Sequence, residues 1–180
     1  MKQKPSVQIR EALPQIIELF NQNDVDYWID FGTLLGAVRD KDVIDWDLDG
    51  DISYVYTPEQ HSKILGCLSP VLNNQPLINM ISYWDGGTKL VASDTHIDCY
   101  PWIKGPQISQ HPQSCFGIGP WPSSDIESFK HIDFLGVQTR IPINYETRLA
   151  RLYGNWRIPV AEKFRNKPYW SVVNTMGRVK

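Results

Sequence analysis

Four aspartates fall at alternate positions in the run Asp45-Trp46-Asp47-Leu48-Asp49-Gly50-Asp51, between Ile44 and Ile52. Carboxylates this close repel one another by about 1 kcal/mol or more per pair near a protein surface. A fold that keeps them together needs a cation or full solvation. Alternation is also the period of a β-strand. A strand over residues 47–56 places Asp47, Asp49 and Asp51 on one face, in steps of about 7 Å. Leu48, Ile52 and Tyr54 take the other face, which is apolar and expected in the core. Three carboxylates beside a core are costly unless something compensates them.

Three structures suit such a run. In a calcium-binding EF-hand loop, Asp45, Asp47, Asp49, Gly50, Asp51 and Ile52 would fill positions 1, 3, 5, 6, 7 and 8. Position 12 is Tyr56 rather than a bidentate Glu, and the flank "ISYVY" has strand character rather than that of an amphipathic helix. The second structure is a solvated acidic strand without metal. The third is a catalytic Mg²⁺ (or Mn²⁺) centre: hard cations take oxygen ligands, typically carboxylates, waters and substrate phosphates. Carboxylates at i and i+2 converge on one ion, and Asp98 in "HIDCYPW" supplies another from a neighbouring strand. Upstream, Gly32-Thr33 reads as a tight turn opening a short helix, whose backbone N–H groups suit a phosphate.

The rest of the chain has α+β character. Helical spacing of Val7, Ile9, Leu13, Ile16, Ile17, Leu19 and Phe20 predicts a helix over 6–22, with Pro14 as a kink or the start of a second helix. A strand over 25–31 puts Val25, Tyr27, Ile29 and Phe31 on one face. Thr57 as cap and Pro58 at the first helical position predict a helix to about Leu68. Strands are predicted over 77–84, 89–93 and 96–102, then a long loop over 104–124, a hairpin turning near Gly136, and a helix over 144–154 capped by Asn144. With 180 residues and neither repeats nor an internal boundary, a single domain is expected, its core about 6–160.

Composition narrows the partners. Net charge is −2 and no Lys/Arg block occurs, which argues against broad nucleic-acid binding. No apolar run reaches the length of a membrane span. Cys67, Cys99 and Cys115 show no metal or redox spacing, so a reduced, cytoplasmic setting is expected. His96 alternates with Asp94 and Asp98 and reads as a structural, hydrogen-bonded histidine beside the acidic strand.

The segment "DFGTLLGAVRDKDVIDWDLDGDI" resembles the signature of the LicD family, to which fukutin and the fukutin-related proteins belong. The matching positions are Gly32, Thr33, Leu34, Leu35, Gly36, Ala37 and Arg39, then Trp46, Asp47, Asp49 and Asp51. "HIDCYPW" resembles the family's later acidic segment, and "IPINYETRLARLYGNWRIP" its C-terminal signature. The resemblance departs at Leu48 and Gly50, where relatives commonly carry consecutive aspartates. It implies a mixed β-sheet flanked by helices in a nucleotidyltransferase-like domain. It also implies transfer of a phospho-alcohol group, of phosphocholine or polyol-phosphate type, from a CDP-linked donor to a glycan or glycan-precursor hydroxyl, with release of CMP. On that reading Asp49, Asp51 and Asp98 are catalytic and, with Asp47, hold the metal, Asp98 as ligand or base. Gly32, Thr33, Arg39, Trp46, Lys89, Arg148 and Arg151 are the candidates for substrate and phosphate binding; an ion pair with Asp40 or Asp42 is the other fate open to Arg39. A nucleotidyltransferase moving NMP from an NTP to a small-molecule hydroxyl, and a non-enzymatic calcium-binding module, remain as alternatives.

Overall fold

The computed structural model describes residues 4–74, 78–82, 88–92, 95–105, 108–110 and 121–159, with side chains for 4–69, 95–105 and 121–159. Helix α1 (Pro5–Gln22) is followed by the two-residue strand β1 (Trp28–Ile29), the short helix α2 (Phe31–Leu35) and a π-helical turn, Gly36–Asp40. Then come β2 (Asp49–Val55), α3 (Pro58–Asn74), β3 (Ile78–Ser82), β4 (Thr88–Ala92) and β5 (Thr95–Lys104). β6 (Ile108–Gln110), β7 (Trp121–Pro122) and a 3₁₀ turn, Ser123–Ile126, lead to β8 (Phe129–Phe134), β9 (Val137–Pro142) and α4 (Tyr145–Tyr153).

The main sheet runs β1-β2-β5-β4-β3, with β6 and β7 continuing beside β5. β2 and β5 are parallel at its centre; β1, β4 and β3 join antiparallel to their neighbours. The register pairs Asp49 with His96 and Asp51 with Asp98. β8 and β9 form a separate hairpin. The result is the mixed sheet flanked by helices that the sequence implies.

Helix α1 buries Ile9, Leu13, Ile16, Ile17 and Phe20. It lies so close to the sheet that a Cβ on Gly50 would sit 3.3 Å from Ile97, 3.5 Å from Ile9 and 3.8 Å from Leu13. Pro14 is inside this one continuous helix and starts no second one. An internal proline costs about 3 kcal/mol or more in lost hydrogen bonding and clash, but five buried side chains at about 1.5–3 kcal/mol each outweigh it.

Other expectations shift in detail. The strand expected over 25–31 contracts to two residues, because Phe31 turns to φ 44° and opens α2. Leu48, expected in the core, is 63% exposed: β2 begins only at Asp49, so its alternation does not reach residue 48. Ile52 and Tyr54 are buried as expected. Thr57 does cap α3, its Oγ1 accepting from Gln60 N at 3.1 Å, and α3 runs past Leu68 to Asn74. Asn144 occupies the N-cap position of α4, as expected, but its side chain makes no capping bond; its Nδ2 donates instead to Ser124 O at 2.8 Å. The loop expected over 104–124 contains β6, β7 and the start of the 3₁₀ turn, and its residues 106–107 and 111–120 lie outside the described residues. The hairpin turns where expected, with both Leu135 (φ 54°) and Gly136 (φ 79°) in the left-handed region of a type I′ turn. Cys67 and Cys99 are buried free thiols, and Cys115 lies outside the described residues.

Candidate active site

Alternation along β2 and β5 sorts their side chains. Gly50, Ile52 and Tyr54 face α1 and the core, while Asp49 and Asp51 share the opposite face with His96 and Asp98. Asp51 and Asp98 are buried; Asp49 and His96 are partly open. One donor atom each from Asp49, His96 and Asp98 lies within 4.8 Å of the others. His96 Nε2 is 3.4 Å from Asp49 Oδ2 and 3.5 Å from Asp98 Oδ2. Tyr100 OH donates to Asp98 Oδ2 at 2.9 Å.

Asp47 reaches the same group by another route. It precedes β2 in a turn closed by its N–H on Ile44 O at 2.9 Å. Its Oδ2 would lie 2.6 Å from a Cβ built on Gly32, and Asp51 Oδ2 would lie 3.4 Å from the same atom. Glycine at 32 therefore leaves room for two carboxylates. Gly32 N and Thr33 N donate to Asp51 Oδ2 at 3.1 and 3.4 Å, and Thr33 Oγ1 accepts from Asp51 N at 2.8 Å. The turn expected to cradle phosphate thus holds a metal-candidate carboxylate directly.

The crowding is visible in the acid strengths. Burial, then Asp49, pushes the Asp47 carboxyl up to about 7. Burial, then Asp49, Asp47 and Asp98, raises Asp51 well above the carboxylate range. Burial, then Asp51 and Asp98, holds Tyr100 as a neutral phenol able to donate. A bound cation relieves this repulsion, and the oxygen-rich donor set fits a hard divalent ion.

These shifts carry a pH dependence. A carboxyl whose folded pKa exceeds its unfolded value binds more protons folded than unfolded. Its contribution to stability is present at low pH and is lost as pH rises from about 4 through the raised value, about 7 for Asp47. His61, lowered by burial, acts in the opposite sense below its ordinary 6.5. In chelator, the thermal midpoint is therefore expected to fall between pH 4 and 7 less steeply in Asp47→Asn than in the unsubstituted protein. Equal slopes would show that Asp47 is not crowded.

A different function falls to Asp30 and Arg148. Asp30, fully buried at the start of α2, accepts five hydrogen bonds. Arg148 Nε (2.7 Å) and Phe31 N (3.0 Å) donate to Oδ1; Arg148 Nη2 (2.6 Å), Ser53 Oγ (2.8 Å) and Trp28 Nε1 (3.0 Å) donate to Oδ2. The Arg148 guanidinium lies 4.9 Å from the Trp102 ring centroid, 5.7 Å from that of Phe31 and 5.9 Å from that of Trp121. Arg148, expected at a diphosphate, is instead 0% exposed and committed to Asp30. The pair fixes Phe31 in its left-handed conformation, a strain of order 1–3 kcal/mol for a non-glycine residue, directly before Gly32. Sequence reading missed Asp30. Its signal was an acid just before the glycine turn, in an N-cap position.

The other candidates scatter. Arg39 chelates Asp40, with Nε and Nη2 both at 2.7 Å, the ion pair the sequence offered as its other fate. Arg151 is partly exposed, its Nε 3.1 Å from Asp125 Oδ2. Trp46 is 37% exposed in the turn before β2. Lys89 stands opposite Asp98 in the register of β4 and β5, and its side chain lies outside the described residues. A separate groove of about 610 Å³ opens between the end of α1 and the β8–β9 hairpin, edged by Asp24, Asp26, His131 and Arg140; none of the sequence-predicted site residues lines it.

A mixed sheet presenting paired acids beside a glycine turn defines the nucleotidyltransferase fold class. Two solved structures share the fold: ANT(2″)-Ia in complex with adenylyl-2″-tobramycin, and the solution structure of the antibiotic-resistance factor ANT(2″)-Ia. Each is 14% identical with a TM-score of 0.57; the first match covers 94% of this chain and 90% of that one, the second 96% and 86%. Residues 24–144 match the family model described as LicD/FKTN/FKRP, nucleotidyltransferase domain, and the chain belongs to that family. Most of the C-terminal resemblance lies beyond the matched residues. Protein RT0683 of Rickettsia typhi is 36% identical over 61 residues, and RP689 of Rickettsia prowazekii 38% over 58. The matches take in 34% and 32% of this chain, and only 20% and 22% of those proteins' length. The family and fold together are of phosphotransferase and nucleotidyltransferase type. β2 takes in Asp49 and Asp51 and runs to Val55 in register with β5, so most of the twelve-residue window is an extended sheet strand rather than a loop curled round an ion, and the calcium-loop alternative does not fit. No described helix is long and apolar enough to cross a membrane.

Proposed function

We propose that this protein is a metal-dependent phosphotransferase that moves a phospho-alcohol group from a CDP-linked donor to a glycan hydroxyl. The observation that carries the reading is that Asp49, Asp51 and Asp98 share one sheet face, with Asp47 reaching it from the turn before β2, beside Gly32 and Thr33. Asp49, Asp51 and Asp98 hold Mg²⁺ or Mn²⁺, with Asp47 completing the acidic wall. The cation, when bound, neutralises the donor's diphosphate and polarises the phosphorus under attack. The acceptor oxygen attacks the phosphorus that bears the alcohol, the bond from that phosphorus to the bridging oxygen breaks, and CMP leaves with the electron pair. Asp98 serves as the third ligand or as the base that takes the acceptor proton; the 2.9 Å hydrogen bond from Tyr100 OH orients its carboxylate. Gly32 and Thr33 act on the diphosphate indirectly, their backbone amides holding the Asp51 carboxylate that would carry the ion, and Lys89 adds a cation from β4. Arg148 acts at a distance, by fixing Asp30 and the turn that follows it. The buried thiols Cys67 and Cys99 suit a reducing, cytoplasmic setting.

Incubation with Mg²⁺ or Mn²⁺ and a panel of CDP-, UDP- and ADP-linked alcohols and NTPs separates the alternatives. The expected outcome is CMP release from one CDP-alcohol, together with the largest thermal stabilisation by that donor. Pyrophosphate release from an NTP would assign the protein to NMP transfer instead.

A further inference from the structure

We infer that His96 is a metal ligand alongside Asp49 and Asp98, and that its imidazole biases the centre toward Mn²⁺ over Mg²⁺. The inference rests on the metal-dependent reading above and adds a donor that the all-carboxylate reading lacks. Three observations support it. His96 and Asp49 are register partners across the parallel β2–β5 pair, as are Asp98 and Asp51, so the four side chains occupy adjacent positions on one sheet face. The imidazole presents Nε2, 3.4 and 3.5 Å from one oxygen each of Asp49 and Asp98. Adjacent donors of an octahedral ion with bonds of about 2.1 Å are separated by about 3 Å. His96 Nε2 is thus within about half an ångström of a coordination edge to each carboxylate, while the Asp49 and Asp98 donors lie within 4.8 Å of each other. The third observation is chemical. Mg²⁺ takes oxygen and keeps water, whereas first-row transition ions also accept imidazole; Mn²⁺ shares the carboxylate preference of Mg²⁺ and is the one of them that suits two carboxylates with a single imidazole.

Without an ion, the same geometry lets a protonated His96 bridge the two carboxylates. That arrangement makes the opposite prediction. A ligand's removal weakens metal binding; removal of a competing positive charge strengthens it.

Binding to the full-length chain can be read by electron paramagnetic resonance of Mn²⁺, with Mg²⁺ measured by competition. The unsubstituted protein is expected to bind Mn²⁺ more tightly than Mg²⁺. Its bound Mn²⁺ should show ¹⁴N coupling in pulsed spectra, absent in His96→Gln. His96→Ala and His96→Gln should lose at least about 10-fold in Mn²⁺ affinity, the low end of what loss of even an indirect metal partner costs, with little change for Mg²⁺. Absence of ¹⁴N coupling in the unsubstituted protein overturns the inference without any variant having to fold. Tighter binding of both ions by the variants overturns it as well and assigns His96 as a charge neutraliser. Either result leaves the carboxylate centre standing. Failure of the unsubstituted protein to bind either ion would remove the metal-dependent reading itself.

Discussion

Arg148→Met is expected to destabilise the protein by about 3–5 kcal/mol, the penalty for leaving a buried charge without its partner. Asp30 is 0% exposed, and two of its five donors come from Arg148. Without Arg148 its carboxylate keeps Ser53, Trp28 and the Phe31 amide but loses its counter-charge. Burial of Arg148 between aromatic rings adds to the loss, because methionine fills less of that space. Asp30→Asn removes the charge from the other side, so a double-mutant cycle with Arg148→Met isolates the coupling. Denaturant unfolding measures it. A loss under about 1 kcal/mol, the value of a surface ion pair, would contradict this assignment.

Asp51→Asn and Asp49→Asn are expected to act in the opposite way, removing activity but not the fold. Transfer should fall by at least about 10³-fold, since metal stabilisation is worth several kcal/mol and each 1.36 kcal/mol is a decade. In chelator, Asp51→Asn should be as stable as the unsubstituted protein or more so. The Asn oxygen can still accept from Gly32 N and Thr33 N, while the repulsion from Asp47, Asp49 and Asp98 disappears. Addition of Mn²⁺ should reverse the order, stabilising only the protein with its aspartates intact. Turnover retained in both variants would remove the metal assignment.

Much of this was legible in the sequence because one rule, alternation on strands, governs it. Period two over Asp49, Asp51 and Ile52, and again over Asp98 and Cys99, sorts acids from core without any tertiary information. The glycine turn was legible as well, but not its role: the amides that the sequence offers to phosphate hold Asp51, and the missing Cβ makes room for Asp47 and Asp51 together. What failed depended on distant partners. Arg148 and Arg151 share a helix in the sequence, but which one is buried depends on Asp30, 118 residues away, and on three aromatic rings. Leu48 failed for a local reason: the strand starts one residue later, and alternation has no meaning in the turn before it. For His96 the sequence offers a structural histidine beside the acidic strand; its pairing with Asp49 across β2 and β5 is a matter of register, which nothing in "HIDCYPW" reveals.

The central claim is that the carboxylate face grips a nucleotide's diphosphate through a divalent ion. Calorimetric titration of CDP-choline tests it most directly, performed in chelator and then with saturating Mn²⁺, on the unsubstituted protein and on Asp51→Asn. Heat of binding is expected only with the ion and only with Asp51 in place. Equal affinity in chelator, or binding by Asp51→Asn as tight as by the unsubstituted protein, would mean that these aspartates hold no metal for a nucleotide.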